Sequence, residues 1–204
     1  MKRWATFILF VSLCMLMGCE SSTIESDKIT EKKVEQISEK ISIAYINFDS
    51  EEYSIMKAAG TDHVMIFSID YGNVNVENIN YWIDHYKDGE FSGTMLDMGS
   101  QITTDTKSKL YFSTINMDTK QELWTMALRQ NGNISSGKQM NTNMDFGSTI
   151  TEPITQNTSA DLNQVIDLGM MIRNKDKNSF GSHEDMEKTI EQNEDVYILR
   201  CKIS

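Results

Sequence analysis

The sequence predicts a mainly β fold, an antiparallel sandwich or a barrel-like domain, and three observations carry that prediction. From Ile41 onward, apolar residues alternate with polar ones at a period of two, as half-buried strands require. Asp88-Gly89 and Asn131-Gly132 each stand between two such runs, and both dipeptides suit the positive φ angles of two-residue hairpin turns. Roughly 160 residues follow position 40, enough for one substantial core.

The elements follow in order. Across Val64 to Tyr71, Met65, Phe67, Ile69 and Tyr71 share one face, while Val64, Ile66 and Ser68 share the other. Ile79 to Tyr86 runs into Lys87-Asp88-Gly89-Glu90 and returns through Phe91 to Met98, a hairpin in which Lys87 and Glu90 face each other. Lys109 to Met117, Gln121 to Gln130 and a third strand after Asn131-Gly132 form a meander. Residues 139 to 162 are rich in Asn, Thr and Ser and hold the single proline, Pro153, so they read as mainly loop with one short strand. Gln164 to Asn174 is a strand with Ile166, Leu168, Met170 and Ile172 on one side. In Glu184 to Gln192 the Met186/Ile190 spacing suits one or two helical turns. Asp195 to Ile203 closes the domain as a strand with Tyr197, Leu199, Cys201 and Ile203 on one face.

An alternative architecture comes from a faint internal echo. Phe67-Ser68, Trp82, Asp88-Gly89 and Ser92 recur in order as Phe112-Ser113, Trp124, Asn131-Gly132 and Ser135. Leu110 through Trp124 to Gly132 is similar to a single blade of a β-propeller, which implies propeller-like meander repeats in place of a sandwich.

Ahead of the β region the chain changes character twice. Lys2 and Arg3 precede an apolar run from Trp4 to Met17, followed by Gly18 and Cys19. A charged start, a greasy segment and a small residue before a cleavage point make an export signal. The run spans roughly 21 Å as a helix, against about 30 Å for the hydrocarbon core, so a signal fits better than a resident transmembrane helix. Leu16-Met17-Gly18-Cys19 resembles the lipobox of bacterial lipoproteins. The resemblance implies cleavage after residue 18 and lipidation of Cys19, with the mature chain anchored by acyl groups on the extracytoplasmic face of the cell membrane. Residues 19 to 40, short of aromatics and rich in Ser, Thr, Glu and Lys, read as a polar tether. Ile29, Val34, Ile37 and Ile41 leave a short helix there as the alternative. The expected organisation is therefore signal 1–18, tether 19–40 and one β domain over 41–204.

Charge and cysteine content narrow the function classes. The formal net charge is −11, and losing Lys2 and Arg3 with the signal takes it to about −13. Nucleic acid is excluded as a partner by the lack of a counterion-releasing basic surface. The acidity keeps a tethered domain soluble, or attracts a cationic ligand. With Cys14 lost and Cys19 lipidated, Cys201 is the one remaining thiol, and its place in an alternating strand makes it a core residue, not a nucleophile.

Chemistry-bearing patterns are sparse. His63, His85 and His183 share no metal-ligand spacing. Asn174 to Asp185 places oxygen-bearing side chains as a calcium loop does, but has Ser179 at its sixth position and Asp185 at its twelfth, where Gly and a bidentate Glu belong. No nucleophile elbow, phosphate loop or cofactor motif occurs, and no cofactor is expected. Both faces of the Ile79–Tyr86 strand carry apolar bulk, which leaves an aromatic platform of Trp82 and Tyr86, joined by Trp124, as the candidate surface for a glycan or peptide. The expected function is a non-enzymatic binding or interaction module with an envelope protein, peptide or glycan as partner. The alternatives are an exported hydrolase or accessory subunit, whose site would be a deep carboxylate-lined pocket, and a structural subunit of an envelope complex.

Overall fold

The computed structural model describes residues 40–102, 107–118, 120–142, 147–154, 156–175, 180 and 185–204. The signal, Cys19, the tether except Lys40, and His183 lie outside the described residues. Eleven strands and two short helices follow in order: β1 (Ile41–Tyr45), α1 (Glu51–Ala58), β2 (His63–Asp70), β3 (Asn78–Lys87), β4 (Glu90–Gln101), β5 (Lys107–Asn116), β6 (Gln121–Gln130), β7 (Asn133–Thr142), β8 (Ser148–Pro153), β9 (Asn157–Ala160), β10 (Val165–Asn174), α2 (Met186–Gln192) and β11 (Asp195–Ile203).

These strands make two antiparallel sheets that pack as a sandwich. Sheet A runs β7-β6-β5-β2-β1-β9 and sheet B runs β4-β3-β11-β10-β8. The period-two pattern sends Phe67, Phe112, Trp124, Tyr81 and Leu199 into one shared core. Turn chemistry sets the hairpin registers. Asp88 and Gly89 take φ of 50° and 87°, Asn131 and Gly132 take 45° and 77°, and Lys87 pairs with Glu90 as expected. A β-bulge in β10 lets Leu168 and Gly169 oppose the same stretch of β11, and Met65 sits directly over Gly169, so a Cβ there would force the Met65 side chain to shift.

The propeller alternative fails on topology. The echoed segments fall in different sheets: Phe67 and Phe112 lie on β2 and β5, which pair with each other in sheet A, whereas Trp82 lies on β3 in sheet B. Residues 139–162 also differ from expectation, holding the end of β7 and two further strands, β8 and β9. Their Thr and Ser side chains are compatible with edge positions, which need little apolar content.

Helix α1 was not foreshadowed by the alternation. Ser50 caps it, its Oγ accepting from the Tyr53 amide at 3.1 Å, and Glu51 and Glu52 favour its N-terminus electrostatically. None of its residues is fully buried, so no apolar stripe announces it. It packs beside β2, with Glu52 bound to Lys109 at 2.6 Å. On the far side of sheet B, Met186 and Ile190 of α2 cover Met170, Ile172, Val196 and Ile198, together with Phe180 and Tyr86. The outward apolar bulk of sheet B is thus largely satisfied within the domain.

Between the sheets one ion pair is deeply buried. Arg173 Nη2 of β10 donates to both Glu122 carboxylate oxygens of β6 at 2.7 and 2.6 Å, with the two side chains 4% and 1% exposed. Trp124 Nε1 donates to the same carboxylate, and the guanidinium lies 5.4 Å from the Trp124 ring centroid and 5.9 Å from that of Tyr197. Removing one member strands the other as an unpaired buried charge. Glu122→Ala should therefore cost about 3–5 kcal/mol in urea unfolding, and a double Glu122→Leu/Arg173→Leu variant should recover much of that loss.

Candidate functional site

Three aromatic residues that the sequence leaves scattered come together at one flank of the sandwich. Tyr45 ends β1, Phe48 follows it in the loop, and Tyr53 lies in the first turns of α1. They line a groove of about 580 Å³ whose opposite wall is Thr149, Thr151 and Pro153 of β8. Phe48 is 66% exposed, an unusual cost for an aromatic ring with no partner to cover it. The cap at Ser50 fixes where α1 begins and so places Tyr53 beside Tyr45.

The polar groups of the groove are few. His63 Nδ1 lies 2.9 Å from Thr151 Oγ1, a bond that ties the start of β2 to β8. Burial holds the His63 imidazole below its ordinary pKa, with Arg173 acting in the same direction against the weaker pull of Glu122 and Asp62. Asp62 is anchored from two sides: its Oδ2 accepts from the Asn116 amide at 2.6 Å and its carbonyl accepts from Lys57 Nζ at 2.8 Å. Burial, then the nearby Tyr53, raises the Tyr45 phenol, so it stays a hydrogen-bond donor. Among the described residues, Asp62 is the one carboxylate lining this groove, so the paired carboxylates of a typical glycosidase do not occur there.

Several carboxylates elsewhere are paired with cations. On the outer face of sheet B, Arg200 binds Asp84 at 2.5 Å and Asp167 at 2.6 Å, with the Tyr86 hydroxyl at 3.2 Å. Burial opposes the Arg200 charge, but the bonds from Asp167, Tyr86 and Asp84 outweigh it and raise the pKa. On the inner face, Asp195 lies 2.6 Å from His85 Nε2, and the His85 ring stacks on Tyr197 at 4.3 Å. Among the described residues no cluster of three or more His, Cys, Asp or Glu side chains could hold a metal ion.

The platform expected from the sequence does not assemble. Trp82 and Tyr86 do share the outer face of sheet B, where Trp82 stands opposite Arg200 and Tyr86 opposite Val196. Trp124 is separated from them because β6 turns it inward, fully buried against Phe112 and Tyr197 in edge-on contacts. Tyr86 is itself packed by the α2 cluster and by Phe91. Cys201 is fully buried and burial pushes its thiol up to about 12, which makes it a core residue as its strand position implied.

Residues 42–203 match the YgaN domain family, a span that begins in β1 and ends with β11. No curated protein and no solved structure matches the chain.

The His63 environment has a measurable consequence. Its folded-state pKa lies below the unfolded value near 6.5, so the unfolded chain binds more protons as pH falls past that point. Stability should be fully present above about pH 6.5 and decline as pH drops toward the folded-state pKa. Urea unfolding of a His63→Gln variant at about pH 7.5 and 5.5 should show a smaller acid loss than the parent.

Proposed function

Since the chain belongs to the YgaN domain family and the match takes in nearly all of the described sandwich, we propose that it is a lipid-anchored binding module, non-enzymatic, displayed on the extracytoplasmic face of the cell membrane. The observation that carries this reading is the groove itself: three aromatic rings and a proline around a single anchored carboxylate. Such a lining gives contact area and orientation without a converging set of acids or an activated nucleophile. The sequence Leu16-Met17-Gly18-Cys19, resembling a lipobox, supports the anchor and the address, and the partner is an envelope protein, peptide or glycan.

Two measurements test the two halves. Cys19→Ala should abolish labelling by a palmitate analogue and move the protein from the membrane to the soluble fraction; unchanged membrane recovery would remove the anchor. A photo-crosslinking residue at Phe48 on intact cells should give adducts that fall about tenfold in a Tyr53→Ala background. The same probe at exposed Glu77 should give none.

A further inference from the structure

The sheets are unequal in width, six strands against five, and the mismatch falls on one flank. On the other flank the edges meet: β4 packs on β7, tied by the Leu96 amide to Gln139 Oε1 at 3.4 Å. On the groove flank β8 reaches β2. Ile41 and Ile43 of β1 are fully buried in the core, whereas Tyr45, at the end of the same strand, is only partly buried and lines the groove beside β8.

Pairing parity fixes what β8 presents there. Ile154 N donates to Leu168 O at 2.9 Å, and hydrogen-bonded positions of an antiparallel ladder recur every second residue. Glu152, Ile150 and Ser148 therefore direct their main-chain groups at Met170, Ile172 and Asn174. Thr149 and Thr151 turn theirs the other way, about 6.8 Å apart. Among the described residues no backbone bond engages those outward groups.

Other edges are less receptive. Strand β4 carries Gly93 and Leu96 at φ of 147° and 48° with two register shifts, which interrupt a ladder, β9 has four residues, and β7, though regular, lies against β4 of the facing sheet. At β8 the free edge opens into an aromatic groove.

We propose that β8 is a receiving edge, on which an extended segment of a partner polypeptide adds as a sixth strand of sheet B. Alternate side chains of the segment enter the groove against Tyr45 and Tyr53, and the others face outward. Asp62 in the lining, Glu51 at the start of α1, and the net charge of −11 fit a segment in which apolar residues alternate with Lys or Arg. A glycan offers no donors and acceptors at the repeat of a strand edge. The inference rests on the reading of the groove as the binding site and names its ligand class.

The test titrates the full chain with a hexapeptide library in which Lys alternates with Val, Ile, Phe or Tyr. Binding should slow hydrogen exchange at the Thr149 and Thr151 amides at least about tenfold. N-methylating the bound peptide at alternate residues of one edge should weaken it at least about tenfold, while the same change on the other edge leaves it within about twofold. T149P, which removes an outward N–H of an edge strand, should weaken binding about fivefold; should T149P fail to fold, the methylated peptides decide. Equal binding by both methylated series overturns main-chain pairing and leaves the groove reading standing. So does binding of chitohexaose without any peptide. Silence from every peptide and from the glycan, with Phe48 crosslinks unchanged by Tyr53→Ala, removes both.

Discussion

The arrangement of this sandwich depends on a charge pair placed where an apolar contact would be expected. Glu122 and Arg173 project from different sheets into the space between them, and each is desolvated enough to require the other. Because the guanidinium engages both carboxylate oxygens and lies near two aromatic faces, only one relative placement of β6 and β10 satisfies it. Core residues such as Leu199 and Phe112 would tolerate some sliding of one sheet over the other. The ion pair adds a directional constraint between the two sheets, which the His63–Thr151 bond also joins.

The acidic composition takes on a more specific meaning in this light. Glu122, Asp84, Asp167 and Asp195 are held by Arg173, Arg200 or His85, so their charge is used inside the fold. The surface acid Glu51 does double service, favouring the start of α1 and shaping the field around the groove, while Glu52 is bound to Lys109. Acidity that reads in the sequence as a solubility device is therefore partly structural.

Legibility in the sequence followed the strength of local signals. Strands with strict alternation and a type-specific turn, such as β3–β4 and β5–β6–β7, were readable because their pattern is self-contained. So was the inward face of Tyr197, Leu199 and Cys201, and the Met186/Ile190 helix turn that covers sheet B. Helix α1 escaped because its evidence is a cap, Ser50 followed by Glu51 and Glu52, without a buried stripe. Strands β8 and β9 escaped because edge strands need little apolar alternation. The groove was the least legible feature, since Tyr45, His63 and Thr151 become neighbours only through sheet packing. Trp124 was misplaced for a related reason: period two tells which residues share a face, but not which face is interior.

Sheet B is organised around a strand that arrives late. Strand β11 lies between β3 and β10, and the Arg200–Asp84 bond joins residues 116 positions apart. Nothing can occupy the middle of that sheet until residues 195–203 have left the ribosome, so β3 and β10 must wait unpaired on their inner edges. Non-local closure of this kind makes for slow folding. That delay leaves sheet B open until its last strand is made, since β3 and β10 share β11 as their neighbour.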